Sequence, residues 1–245
     1  MKHALIIAHP ASGSFTMTMA KAYAGALADH GQEAVVRDLY RMGFDPCLQA
    51  GEIPGPGGYE PLDDVKAERE MLHDVQAFAF FYPVWFNAPP AMMKGYLDRV
   101  FGMGFGYGMG ENGNEPLLSG RSLVSFTSSG APKRWMVETG AWDAMRKLFD
   151  EHVAGVCGLA VLDHLHFGAI TPGITGEAVE SCSEEVRAVA AGNPLQRSTR
   201  LRNRACSTVA GARGSMAVRR RPWTGGSARP QRPAPLRSRI PRLRR

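Results

Sequence analysis

The sequence predicts an α/β protein: a doubly wound, five-stranded parallel sheet with helices on both faces. Strand and helix signals alternate from residue 3 to residue 190, the pattern of strands joined by crossover helices. The segment "AFAFFYP" (77–83) is apolar at every position, as a strand buried between two helical layers requires. Hydrophobic residues make up 44% of the 245, ample for one such core.

The elements follow in order. "HALIIA" (3–8) is an apolar run ended by Pro10 and reads as the first strand. Good helix formers run from about Ser14 to His30 and are closed by Gly31. "AVVRD" (34–38) is a short second strand. Residues 43–60 are rich in Gly and Pro and read as loop, and "PLDDVKAEREMLHDV" (61–75) has helical periodicity. After the third strand at 77–83 comes a loop, then the helix "APPAMMKGYLDRVF" (88–101) and a glycine-rich loop from Gly102 to Gly113. "SLVSFTSSG" (122–130) is the fourth strand, "WDAMRKLFDEHVAGV" (142–156) a helix, "LAVLDHLHFG" (159–168) the fifth strand, and "TGEAVESCSEEVRAVAA" (175–191) the last helix.

The charge is divided unevenly. Of 29 basic residues, fifteen are arginines that lie from Gln196 onward, where there is no Lys, Asp or Glu. The other fourteen stand against 23 acidic residues, so an acidic body of net −9 carries a strongly basic tail although the whole chain is +6. We expect a domain over residues 1–195 and a disordered Arg/Pro-rich tail over 196–245. The tail has the composition of an out-of-frame reading of a GC-rich gene, and its arginines would hold nucleic acid only non-specifically. No apolar run approaches the roughly 20 residues of a membrane span, and Pro10 ends the first apolar run too early for a signal peptide. An integral membrane protein is therefore not expected, and a cytoplasmic one is. Cys47, Cys157, Cys182 and Cys206 are scattered without a CxxC pair and read as reduced thiols; no His/Cys/Asp set has metal-ligand spacing.

In a doubly wound sheet, ligands sit beyond the carboxyl ends of the strands. The loops there are "HPASGSFT" (9–16), "YPVWFNAPP" (82–90) and "TSSGAPKRW" (127–135). The first offers donors at a helix start, suited to an anion, although Ser12 or Ser14 acting only as a helix cap explains it equally well. The second offers aromatics between prolines, suited to a flat ring. The third offers hydroxyls and Gly130, where backbone can approach a ring edge. A phosphate and a planar heterocycle together mean a flavin or another nucleotide.

"AHPASGSFT", "YPVWFNAPPAMMKGYLDRVF" and "SFTSSGAP" closely resemble the NAD(P)H:quinone oxidoreductase family of the flavodoxin-like fold, in particular its bacterial NADPH-quinone reductase branch of the modulator of drug activity B type. The resemblance spans about residues 2–190. It implies FAD, with FMN as the alternative, NAD(P)H as electron donor, a quinone-like acceptor and a homodimer. It implies that His9, Ser14, Phe15 and Thr16 hold the flavin phosphates and that Pro83, Val84, Trp85, Phe86 and Asn87 follow the isoalloxazine edge. Thr127, Ser128, Ser129 and Gly130 fall at its pyrimidine end. Phe105 and Tyr107 match aromatics of the nicotinamide and quinone pocket, partly supplied by a second subunit. The reacting end is thus assigned to Tyr107, Ser128 and Trp135. The family's tyrosine beyond the fourth-strand loop falls at Trp135 and its histidine near Ala141, so neither proton-shuttling side chain is kept there; a tryptophan only donates its N–H.

Several residues have simpler readings. His164 and His166 alternate on a strand, and at least one reads as structural. Arg69 reads as part of a solvated helix face, and Glu68, Glu70, Asp143 and Glu151 as surface helix charges. Two other functions stay open: a flavodoxin-like electron carrier, and a regulatory subunit of a potassium-efflux transporter.

Overall fold

A computed structural model describes residues 1–55, 58–111 and 113–192; the expected tail at 196–245, with Cys206, lies outside the described residues. Five strands form one parallel sheet: β1 (Lys2–Ile7), β2 (Glu33–Asp38), β3 (Ala77–Pro83), β6 (Ser122–Ser128) and β7 (Ala160–Phe167), in the order β2-β1-β3-β6-β7. The predicted doubly wound sheet is therefore the one observed. Its strand order reverses at β1, which places the β1 and β3 ends side by side at the carboxyl edge, where sheets of this kind bind ligands.

Helices α1 (Phe15–Asp29) and α7 (Gly176–Ala190) lie together on one face. There they cover Leu5, Ile7, Phe81 and Phe126 with Tyr23, Leu27 and Val186. On the other face, α2 (Asp63–Met71), α3 (Ala91–Val100) and the helical stretch 141–157 enclose Ile6, Phe78, Phe80, Tyr82, Tyr96 and Phe149. Alternate β3 residues thus point into opposite cores, which is why 77–83 has no polar position.

Three local features differ from the sequence reading. The glycine-rich stretch forms a small antiparallel hairpin, β4 (Tyr107–Gly110) with β5 (Gly113–Pro116). An extra helix, α4 (Lys133–Glu138), follows β6. The helix expected at 142–156 is α5 (Ala141–Met145) and α6 (His152–Cys157) joined by a π-helical segment, Arg146–Glu151. Asp150 lies in that segment with 0% exposure.

Two residues read as surface charges are structural. Glu68 is buried, accepting from the Tyr96 hydroxyl at 2.7 Å and from the Arg37 guanidinium. Arg69 is turned inward, donating to the carbonyls of Arg99, Val100 and Met103 and to the Tyr59 hydroxyl at 2.9–3.0 Å. It ties the chain after α3, whose last carbonyls lack helical partners, to helix α2. Glu70, Asp143 and Glu151 are exposed as expected. The four-residue hairpin strands, made largely of glycine and polar residues, carry none of the apolar alternation that marks a strand in sequence.

Candidate functional site

The loops after β1, β3 and β6 meet at the carboxyl edge of the sheet. The Ala8 N–H donates to the Phe81 carbonyl at 3.0 Å, and the Val84 N–H to the Ser128 carbonyl at 2.7 Å. Tyr82 pairs with Thr127 and Pro83 with Ser128. His9 and Trp85 close the front of this edge, their ring centroids 6.2 Å apart. Residues distant in sequence therefore form one continuous rim.

At the β1 end, Ser14 is the helix cap: its Oγ accepts the Met17 N–H at 3.2 Å. The simpler of the two readings of that serine is realised, and an anion must then rely on what capping leaves over. Among the described residues, the N–H groups of Ser12, Gly13, Phe15 and Thr16 have no protein acceptor. The first turn of α1 contains no acidic side chain, so the positive end of the helix dipole is not offset. Arg41 braces this loop from below, donating to the His9 and Pro10 carbonyls at 2.5 and 2.6 Å.

The tautomer of His9 follows from its contacts. Its Nδ1 accepts the Ala11 N–H at 3.0 Å, so the ring proton sits on Nε2 and is available to an outside acceptor. Burial, with the Arg41 charge adding to it, holds this imidazole below its ordinary range. His9 is then a neutral donor at pH 7.

The β3 end is exposed and strained. Phe86 and Asn87 adopt φ of +50° and +57°, a left-handed conformation that costs a non-glycine residue about 1 kcal/mol. Trp85 is 44% exposed and Phe86 fully so. The turn is held by paired hydrogen bonds between Trp85 and Ala88 at 3.0 Å, and Asn87 Nδ2 donates to the Ala141 carbonyl at 3.0 Å. The strained turn thus leaves two large aromatics exposed at the carboxyl edge of the sheet.

At the β6 end, the Ser129 N–H donates to the Phe167 carbonyl and its carbonyl accepts the Ile170 N–H, while Gly130 is exposed. Trp135, on α4, is 53% exposed.

Other sequence-predicted residues lie deeper. Thr16, Pro83, Thr127 and Ser128 are buried. The Thr127 hydroxyl is held between His164 and His166 at 2.7 and 2.9 Å, so only its backbone can face a ligand. Phe15 is half-buried, edge-on to Phe167 with centroids 5.5 Å apart. Tyr107 is half-buried in the β4–β5 hairpin, where its carbonyl accepts the Gly104 N–H at 2.8 Å. No hydrogen bond or ring contact among the described residues joins it to the rim. Sequence reading overlooked Asp150: at helical spacing it follows Arg146 and Lys147 and looks like a surface charge, and the π-helical winding of Arg146–Glu151 buries it. Among the described residues, no cluster of three His, Cys, Asp or Glu could hold a metal.

The sequence family described as having a flavodoxin-like fold matches residues 1–190. The chain belongs to that family. It is 28% identical over 171 residues to an NAD(P)H oxidoreductase of Haemophilus influenzae described as uncharacterized, covering 69% of this chain and 85% of that one. To NAD(P)H dehydrogenase [quinone] 1 of Rattus norvegicus it is 27% identical over 186 residues, 65% of each chain, so it spans just under two thirds of that enzyme. An NAD(P)H:quinone oxidoreductase from Methanothermobacter marburgensis has the same fold, with a TM-score of 0.69 and 26% identity over 78% of this chain and 96% of the other. These three relatives are named as NAD(P)H oxidoreductases or dehydrogenases, and the two whose names give an acceptor name quinone. No helix among the described residues is long and apolar enough to cross a membrane.

Proposed function

We propose that this chain is a flavin-dependent NAD(P)H:quinone oxidoreductase, its reductase domain lying within residues 1–195. The observation that carries the reading is the rim itself. Unpartnered N–H groups at the start of a helix with no acid in its first turn adjoin a strained loop that exposes Trp85 and Phe86. The donor set fits the phosphates of a flavin, and the aromatic loop fits its ring.

When bound, the flavin supplies the carrier that takes a hydride from NAD(P)H and yields it to a quinone. The protein's part is position and charge. The N–H groups of Ser12, Gly13, Phe15 and Thr16 would bind phosphate oxygens, with His9 Nε2–H as a further donor. The backbone of 83–87 and of 127–130 would fix the ring plane from two sides, and Trp85, Phe86 and Trp135 would exclude water from its face. FAD is the cofactor this reading favours, because the resemblance of the three loops is to FAD enzymes; FMN is the alternative. Tyr107 would act from the partner in a homodimer, since within one chain no hydrogen bond or ring contact among the described residues joins it to the rim.

The test is NAD(P)H oxidation by the purified protein with a benzoquinone acceptor, with and without added FAD or FMN. A rate that needs both flavin and quinone supports the reading. No rate with either flavin would refute it.

A further inference from the structure

Beneath the rim, a hydrogen-bonded chain runs from the sheet's interior to the loop after β6. Ser125 Oγ donates to Asp150 Oδ1 at 2.9 Å, and His164 Nδ1 is bonded to Asp150 Oδ2. His164 Nε2 lies 2.7 Å from Thr127 Oγ1, which lies 2.9 Å from His166 Nδ1. His166 Nε2 lies 3.0 Å from Ser129 Oγ, which is 3.1 Å from the Ala131 carbonyl. We propose that Asp150, His164, Thr127, His166 and Ser129 form a buried store for one proton, wired to the rim and loaded and emptied through Ser129. Its purpose rests on the reductase reading above; its geometry does not.

With Asp150 ionised and His166 neutral, donor and acceptor counting allows the chain only two arrangements. A carboxylate accepts, so His164 always carries a proton on Nδ1. When His164 is neutral, its Nε2 accepts from the Thr127 hydroxyl. Thr127 Oγ1 then accepts from His166 Nδ1–H, and His166 Nε2 accepts from the Ser129 hydroxyl. When His164 is charged, every bond from its Nε2 outward reverses, while Nδ1–H goes on donating to Asp150. His164 Nε2–H donates to Thr127, Thr127 to His166 Nδ1, and His166 Nε2–H to Ser129, whose own proton is freed for the Ala131 carbonyl or a ligand.

Passing from the second arrangement to the first moves four protons by one bond each. The Nε2 proton of His164 goes to Thr127, the Thr127 proton to His166 Nδ1, the His166 Nε2 proton to Ser129, and the Ser129 proton to the ligand. The net result is one proton delivered and His164 left neutral. Quinone reduction needs that number: NAD(P)H gives a hydride, and NAD(P)H + H⁺ + quinone yields NAD(P)⁺ + hydroquinone.

The surroundings keep the store closed at its inner end. The His164 and Asp150 side chains are 2% and 1% exposed. The Trp142 ring packs on both imidazoles, with centroids 4.8 and 5.6 Å away. Asp163 accepts the backbone N–H of His164 at 2.7 Å. Tyr82 on β3 feels the Asp150 charge, and Lys133 on α4 acts on His166. Burial, with His164 and Lys133 adding to it, pushes His166 down to about 3, so this ring relays the proton and does not hold the charge. Asp150 counters the charge on His164.

Histidine-selective ¹⁵N NMR of the full-length protein, without flavin, reads charge and tautomer ring by ring. As the pH is lowered stepwise over the range in which the protein stays folded, His164 should gain an Nε2 proton while keeping Nδ1–H. In the same step His166 should stay neutral and exchange Nδ1–H for Nε2–H. In Thr127→Val, His164 should still titrate and His166 should no longer follow; if that variant does not fold, the wild-type titration decides alone. A His166 that keeps one tautomer while His164 changes charge overturns the proposal, as does a His164 of fixed charge over that range. If both rings behave as expected but no flavin binds, the store stands and the reductase reading falls.

Discussion

At position 14 a serine hydroxyl closes helix α1 by accepting the Met17 N–H at 3.2 Å, while the N–H groups of Ser12, Gly13, Phe15 and Thr16 have no acceptor among the described residues. The two roles can be separated. Aspartate caps as well as serine does, so Ser14→Asp should leave thermal stability within about 0.5 kcal/mol. Its charge should nonetheless weaken flavin binding on the order of tenfold or more, about 1.4 kcal/mol. Ser14→Ala should do the reverse, losing about 1 kcal/mol of stability with a small effect on flavin. Fluorescence titration and thermal melts of the two variants check this; equal flavin affinity in Ser14→Asp and wild type would remove the phosphate from this loop. Arg99 belongs to stability instead. Its side chain is 1% exposed and pairs with Glu52, itself 2% exposed, at 2.9 Å, and with Asp64 at 2.9 Å. Burial is the largest single influence on Glu52 and opposes its ionisation, but the hydrogen bonds from Arg99 and from the Gln49 and Leu62 backbone, together with the Arg99 charge, outweigh it and hold the carboxyl below its usual 4.5. Its contribution is therefore present above pH 4.5 and lost as the pH falls through the folded value. Arg99→Met should cost about 3–5 kcal/mol at neutral pH by leaving a buried carboxylate unpaired, and should flatten this part of the acid-unfolding limb, as urea denaturation at a series of pH values would register.

At the scale of elements, the β3–α3 turn is where stability and binding pull apart. Phe86 has φ of +50° and a fully exposed ring, so Phe86→Gly loses no packing and relieves left-handed strain. Stability should stay level or rise by up to about 1 kcal/mol, while flavin affinity falls; a variant that loses both would mean the ring packs against the protein. The same scale shows what could be read without coordinates. The five strands were legible because a parallel sheet imposes apolar runs of strand length, as in Phe78–Tyr82. The three rim loops were legible because histidine, hydroxyl and aromatic residues stood where strands end. The β4–β5 hairpin was not, since its glycines and polar residues bury nothing. Nor was the π-helical segment, because one residue of extra winding leaves the helical pattern of 142–156 intact while turning Asp150 inward. The buried roles of Glu68 and Arg69 depend on Arg37, Tyr96 and Tyr59, partners remote in sequence that no local pattern joins to them.

For the molecule as a whole, acid is the expected weakness. Burial holds His3, His9 and His166 below the ordinary imidazole value of 6.5, and His166 at about 3. A base whose folded value is depressed contributes stability above its unfolded value and loses it as the pH falls. Stability should decline from pH 6.5 downward, with His166 alone accounting for about 2 kcal/mol at pH 5, and His166→Asn should flatten that decline in thermal melts. The acidic body is also the part that the family match covers, ending at residue 190, short of the fifteen arginines. Removing residues 196–245 should therefore abolish retention on DNA and leave the flavin site intact. On the proposed reading the rim binds a flavin which NAD(P)H reduces and a quinone reoxidises. That reading is tested most directly by the visible absorption spectrum of the purified protein, followed by chromatography of whatever heat releases. The expected result is a flavin spectrum, FAD in the supernatant, bleaching by NAD(P)H and recovery on adding quinone. A colourless protein that takes up neither FAD nor FMN would contradict it.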